Sequence, residues 1–170
     1  MDDHEAKAEW VRAALARHGP ALTRYAASIL GGEDAASDVV QDTFLRLCEE
    51  TPQRLDGRLA EWLFTVCRNR ALDLRRKIQR MTPLTDEELT LRPGAGLDPA
   101  EAAARGESLD LVQHWIAQLP PQQQEVVRLK FQAGLSYAEI SRVTSLSVGN
   151  VGFILHSAMK TLRLRAARSA

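Results

Sequence analysis

Residues 135–163, LSYAEISRVTSLSVGNVGFILHSAMKTLR, hold two helical patterns joined by a very short turn, and that joint constrains the fold more than anything else in the chain. Ser136 and Glu139 stand at the spacing of a capping box, in which hydroxyl and carboxylate each satisfy an unpaired N–H at a helix start. Ile140 and Val143 give the first helix a short apolar stripe. Thr144, Ser145 and Leu146 make the turn, and Ser147 caps a second, longer helix running to about Arg165. Val148, Val151, Leu155, Ala158 and Leu162 recur there at three- and four-residue spacing. One face therefore packs inward and the other is free to lie in a DNA groove. A plain helical hairpin has the same pattern, so the decision rests on the rest of the chain.

Nearly everything periodic in the sequence has the helical period, and no alternating strand pattern appears. The expected class is all-α. A first helix is predicted over about residues 4–17, ended by Gly19, with Pro20 opening a second helix to about Leu30. A third runs from about Asp34 to Glu50, burying Ala36, Val39, Val40, Phe44 and Leu47. Residues 51–57, TPQRLDG, read as a loop. A fourth helix follows from about Leu59 to Arg80, burying Trp62, Leu63, Val66 and Leu74. Residues 81–107 contain three prolines, three glycines and six carboxylates, the composition of a loosely ordered linker. Helical pattern returns at Ser108, with Leu109, Val112, Trp115 and Ile116 on one face. A helix over about Gln122–Gln132 then leads through Gly134 into the helix-turn-helix. The expected organisation is a helical domain over residues 1–80, an acidic linker over 81–107 and a helix-turn-helix domain over 108–170.

Net charge is zero over 170 residues, which looks wrong for a nucleic-acid binder, but the sum hides segregation. Residues 81–127 hold 8 acidic and 2 basic side chains, and residues 128–170 hold 1 acidic and 7 basic. Within the first domain Arg68, Arg70, Arg75, Arg76, Lys77 and Arg80 face only Asp73. Two basic surfaces thus flank an acidic middle, as suits a chain touching DNA at two places. No apolar run approaches the ~18 residues of a membrane span. The start, MDDHEAKAEW, lacks the regions of a signal peptide, so a cytoplasmic protein is expected. Cys48 and Cys67 have no metal-ligand spacing and read as buried free thiols. His4, His18, His114 and His156 are scattered, so neither a zinc site nor any cofactor is expected. No phosphate loop or nucleophile constellation appears, and the chain is read as not an enzyme.

The helix DAASDVVQDTFLRLCEE places Asp38, Gln41, Asp42, Arg46 and Glu49 beside or opposite its apolar stripe, where they are exposed. Here the sequence resembles the extracytoplasmic-function group of bacterial sigma factors. Its members carry a close variant of DVVQDTFLRL on the helix that docks on the clamp helices of RNA polymerase. The following WLFTVCRNRALDLRRK resembles the family's promoter-reading helix, and LPPQQQEVVRL with LSYAEIS resembles its carboxy-terminal domain. The three blocks occur in the family's order and cover about residues 20–80 and 108–165. The resemblance implies core RNA polymerase and promoter DNA as partners, with an inhibitor (anti-sigma) protein as a further one and no membrane. It assigns Asp38, Gln41, Asp42, Phe44, Leu45 and Arg46 to the polymerase contact. It places the basic helix at the minus-ten element, with Arg68, Arg70, Arg75, Arg76 and Lys77 as cations for phosphates and Asn69 and Asp73 able to read base edges. It also makes the loop from Thr51 to Arg58 a pocket for one base flipped out of the stack, with Gln53, Arg54 and Asp56 as its polar candidates. An acidic linker bearing Asp86, Glu87, Glu88, Asp98 and Glu101 is then either a mimic of nascent RNA or a solubilising tether.

The recognition helix departs from the family. Relatives usually carry a basic–polar–basic triplet where this chain has Gly152, Phe153 and Ile154, and commonly an Arg at Ser157. Ser145 stands where Gly is usual in the turn. Gly149 and Gly152 weaken the helix by up to ~1 kcal/mol each relative to Ala. Ser136, Ser147, Asn150, Phe153, His156 and Lys160 remain as candidates for the minus-thirty-five element, with Asn150 suited to adenine and Phe153 to a thymine methyl. Alternatively, Phe153 and Ile154 form an apolar patch for a protein partner. Two rival readings follow: an autonomous helix-turn-helix regulator, and a degenerate family member acting by protein interaction.

Overall fold

A computed structural model of the chain describes residues 2–82 and 108–169. The chain divides into two compact units, Met1–Glu87 and Glu88–Ala170. Apart from its first two residues, the linker expected over 81–107, with all its candidate carboxylates, lies outside the described residues. No strand occurs among the described residues, and no helix among them is long and apolar enough to cross a membrane.

In the first unit α1 spans Asp3–Leu30, α2 Glu33–Leu47 and α3 Leu59–Met81, with a short 3-10 turn over Pro52–Leu55. The three helices pack on one another pairwise. Their shared core is Leu22, Tyr25 and Ala26 from α1, Ala36, Val39 and Leu47 from α2, and Leu63, Phe64, Cys67 and Ala71 from α3. Tyr25 and Phe64 meet edge to face at its centre, ring centroids 5.4 Å apart.

α1 is a single 28-residue helix, where Gly19 and Pro20 predicted two. A proline inside a helix removes one N–H and crowds the carbonyl four residues back, at a cost of ~3 kcal/mol. Ala16 and Pro20 are both exposed, so the freed carbonyl lies on the solvent side. Ala14, His18, Leu22 and Tyr25 are buried on both sides of the proline, so one continuous stripe spans the break. Tertiary burial overrides the local signal. The real break is at Gly31, whose left-handed φ of 77° ends α1 while its N–H donates to the Ala27 carbonyl.

The buried stripe of α3 is also turned from the one expected. Leu63, Phe64, Cys67 and Ala71 are inside, while Trp62, Val66 and Leu74 are half-buried. Cys67 is buried as expected, but Cys48 is exposed, because the chain leaves α2 at that residue. Burial pushes the Cys67 thiol up to about 12, outweighing the hydrogen bond from Thr43 that acts the other way.

His18 lies in the α1 stripe, and burial, aided by Arg17, holds its pKa below 6.5. The folded domain therefore prefers neutral His18 and the unfolded chain binds the extra proton, so this contribution is whole above pH 6.5 and is lost as pH falls below it. Denaturant midpoints should drop between pH 7.5 and 5.5, about one pH unit either side of the ordinary histidine value. In a His18→Leu variant the drop should be smaller. An equal drop in both proteins would assign the acid sensitivity elsewhere.

In the second unit α4 spans Ser108–Ala117, α5 Pro121–Phe131, α6 Tyr137–Thr144 and α7 Val148–Ser169. Its core joins Ile116, Val126, Val127, Leu129, Leu135, Ile140, Val143, Val151, Leu155 and Ala158. Leu109 and Val112, expected on the inner face of α4, are exposed, and only Ile116 of that stripe is buried. Arg165 of α7 ties α4 down by donating to the Trp115 carbonyl and Gln118 Oε1, both at 3.0 Å.

Candidate nucleic-acid interface

The amphipathic pattern of α2 buries Val39, Val40, Thr43, Phe44 and Leu47, and so turns the intervening polar residues outward. Asp38, Gln41 and Arg46 are exposed, Leu45 is 60% exposed, and Asp42 is partly covered. Phe44 is mostly in the core, at the edge of an apolar groove of about 350 Å³ whose lining includes Leu15 and Thr23 of α1 and Val40, Gln41 and Leu45 of α2. This face joins a shallow apolar seat to a polar rim.

Asp42 has a partner that the sequence did not reveal. Its Oδ2 accepts hydrogen bonds from Arg70 Nε at 3.0 Å and Nη2 at 2.9 Å, linking α2 to α3 across 28 residues. A residue assigned to polymerase and one assigned to DNA are thus each other's ion pair. Arg76 is likewise paired, with Asp73 at 3.2 Å on the same helix. Asn69, Arg75, Lys77 and Arg80 are exposed, and Arg68 is half-buried. The outer surface of α3 therefore carries Arg75, Lys77 and Arg80 as exposed cations beside the ion-paired but still accessible Arg70 and Arg76, with Asn69 on the same helical face as Arg76 and Arg80.

The loop before α3 folds over the start of that helix. Leu55 is buried under it, and Gly57 takes a left-handed φ of 70° that lets the chain turn back. Between loop and helix lies a cavity of about 310 Å³, at the small end of the ~300–1,000 Å³ range of ligand pockets. Of the expected polar residues, Arg54 lines it, whereas Gln53 and Asp56 do not. The rest of the wall comes from residues outside those three polar candidates, chiefly Glu50, Arg58, Glu61, Trp62 and Thr65. Arg58 closes the loop itself, Glu50 lies just past the end of α2, and Glu61, Trp62 and Thr65 stand in the first two turns of α3. Glu50 Oε2 is 3.1 Å from Arg54 Nη1, an ion pair, yet this buried oxygen accepts no hydrogen bond.

In the second unit the capping box is formed as expected. Ser136 Oγ accepts from the Glu139 N–H at 3.2 Å, and Glu139 Oε2 accepts from the Ser136 N–H at 2.6 Å. Ser145 makes the turn in the left-handed region at φ 62°, which L side chains adopt at some cost and which explains why glycine suits this place. Ser147 Oγ accepts from the Asn150 N–H at 3.1 Å and starts α7. Both serines are helix caps, so any DNA contact they make is secondary to that role.

Along α7, Val151, Ile154, Leu155 and Ala158 are buried. Val148, expected inside, is 48% exposed, and Ile154, expected outside beside Phe153, is 6% exposed. The apolar patch of Phe153 with Ile154 therefore does not exist. Asn150, Phe153, His156 and Lys160 are exposed. Gly152 faces the Tyr137 ring of α6, which lies at ordinary contact distance, 3.5 Å, from where a Cβ would stand. Not all the positive charge of this unit is free for DNA. Arg128 is 7% exposed and shared among the side-chain carbonyls of Gln113, Gln124 and Gln132. Lys130 sits 5.6 Å above the Tyr137 ring and donates to the Leu135 carbonyl.

Two helical units, each presenting one cation-bearing helix, define a transcription-factor type of DNA-binding protein. The sigma-70 region 2 profile matches residues 14–81 and the sigma-70 region 4 profile matches residues 109–162. The ECF RNA polymerase sigma factor SigL of Mycobacterium tuberculosis is 34% identical over 94% of this chain and 90% of its own length. The ECF RNA polymerase sigma factor SigM of Bacillus subtilis is 26% identical over 82% of this chain and 85% of its own. The solved structure of CnrH in complex with the cytosolic domain of CnrY superposes with a TM-score of 0.59 at 27% identity, covering 99% of this chain and 92% of that one. The chain belongs to the extracytoplasmic-function sigma factors of the sigma-70 family.

Proposed function

We propose that the chain binds core RNA polymerase, carries it to particular promoters and helps to open them, with the chemistry of RNA synthesis left to the polymerase and the complex working in the cytoplasm. One observation carries this reading: two independently packed helical units with separate cores, one presenting α3 and the other α7. The α2 face, with Asp38, Gln41, Asp42, Leu45 and Arg46 around the apolar seat at Phe44, is the polymerase contact. Arg75 and Lys77 hold phosphates at the minus-ten element while Asn69 reaches bases. The cavity under the loop receives one extruded base. Trp62 offers it an apolar wall, and Arg54, Arg58 and Glu50 offer it hydrogen bonds that offset the few kcal/mol of unstacking. α7 lies in the major groove of the minus-thirty-five element. CnrH is found in complex with the cytosolic domain of CnrY, and this supports a protein partner for this chain too, one that acts as an inhibitor by covering its polymerase-binding face.

The reading is tested by gel filtration with core polymerase and by promoter opening. The full chain should co-elute with core enzyme and bind duplex poorly alone. Arg75→Ala with Lys77→Ala should weaken open complexes on most sequences alike, with a salt slope shallower by about 0.9 log units per lost duplex phosphate. Failure to co-elute, together with tight sequence-specific binding by the isolated chain, would favour an autonomous regulator.

A further inference from the structure

Phe153 is 71% exposed in the middle of α7, and the fold makes no use of its ring. Its helical neighbours one and two turns away are Gly149, His156 and Lys160, with Asn150 beside them, all exposed. Ile154 points inward, and the residues three and four positions either side of Phe153 and seven after it are polar or glycine, so its ring stands out from the less exposed Val148 (48%) and Tyr137 (41%) as the main apolar group in the middle of this helix face. A protein-docking patch needs several hundred Å² of contiguous apolar surface, which a lone ring does not supply. A matching partner is an isolated apolar group on an otherwise polar surface that admits a helix. The major groove has one such group, the 5-methyl of thymine. Gly149 fits this picture. A Cβ there would meet nothing within 4 Å, so no packing inside the chain calls for glycine, and the surface one turn before Phe153 stays open to the depth of the backbone. Gly152, by contrast, lies against the Tyr137 ring, with room for no more than ordinary contact.

We infer that α7 reads a thymine in the upstream promoter element by packing the Phe153 ring on its 5-methyl group, with Asn150, His156 and Lys160 holding the helix in the groove. The inference rests on the carboxy-terminal unit being a promoter reader. It also gives the departure from the family's usual cations a purpose: methyl recognition in place of some phosphate attraction.

The test uses holoenzyme made from core polymerase and the full chain. It selects promoters from two libraries randomised over the upstream window, one synthesised with thymine and the other with uracil in that window, which differ only in the 5-methyl. Thymine should be enriched at one or two positions, and uracil at the same positions should lose about threefold to fivefold of that enrichment, the scale of one buried methyl. Phe153→Ala should show the same loss with thymine and no further loss with uracil. Since Phe153 is exposed, the variant should melt with the wild-type chain. Equal preference for thymine and uracil, or methyl sensitivity that survives Phe153→Ala, would overturn the inference while leaving promoter reading intact. Absence of any upstream preference, with polymerase binding and opening normal, would overturn both. Normal selection by Phe153→Ala with loss of a co-purifying protein would give the ring to a protein partner instead.

Discussion

Asp42→Arg is expected to lower affinity for core polymerase by about a hundredfold or more, with little change in the fold. A like or mismatched charge placed in a polar docking surface costs several kcal/mol, and each 1.4 kcal/mol is about tenfold in affinity. The Arg70 pair complicates this variant, because the new guanidinium also faces Arg70. Both partners are about half exposed (42% and 49%), so the loss of their pair belongs with surface ion pairs, worth ~0–1 kcal/mol. That moves the melting temperature of a domain this size by no more than about 8 °C. The two causes are separated by the exchange Asp42→Arg with Arg70→Asp, which rebuilds the pair in reverse. If the carboxylate at position 42 meets polymerase, the exchanged protein stays deficient although its melting temperature recovers. Recovery of both shows that Asp42 acts by holding α2 to α3.

What the sequence disclosed and what it hid divide along a physical line. The capping box at Ser136 and Glu139, the Ser147 cap and the turn at Ser145 are local, made by residues three or four apart, and they read directly from spacing. The stripe of α2 was legible for the same reason. Features set by distant residues were not. Pro20 is a helix breaker by every local rule, yet α1 continues because burial on α2 and α3 holds both its halves. The Asp42–Arg70 pair joins residues 28 apart, and no pattern along the chain connects them. The cavity beside α3 takes Arg54 from the loop, where the sequence puts it, but Glu50 comes from the turn after α2 and Glu61 and Trp62 from α3. On α7 the helical period was right and its phase was off: shifting the inner face to include Ile154 and release Val148 converts an apolar patch into a single exposed ring. That phase is set by packing on α5 and α6, contacts between helices that spacing along one helix does not encode.

The second large effect is expected in the core. Phe64→Ala removes a ring that is 1% exposed and leaves Tyr25 without its edge-to-face partner. Truncations of this kind cost ~3–5 kcal/mol, a large share of the ~5–15 kcal/mol that holds a domain together. Phe64 lies on α3 two residues from Trp62, so its loss loosens the cavity wall and the helix proposed to meet the minus-ten element together. Promoter opening and polymerase binding should therefore fail at once, unlike the selective failure of the Arg75 and Lys77 variant. The carboxy-terminal unit has its own core around Val126, Leu129, Ile140 and Val151, in a unit to which Phe64 does not belong. Hydrogen exchange is the decisive measurement: amides of α1, α2 and α3 should lose protection, while those of α5, α6 and α7 keep theirs. Leu129→Ala should give the converse pattern. If Phe64→Ala strips protection from α5 to α7 as well, the two units fold as one, and the separation that carries the proposed function is wrong.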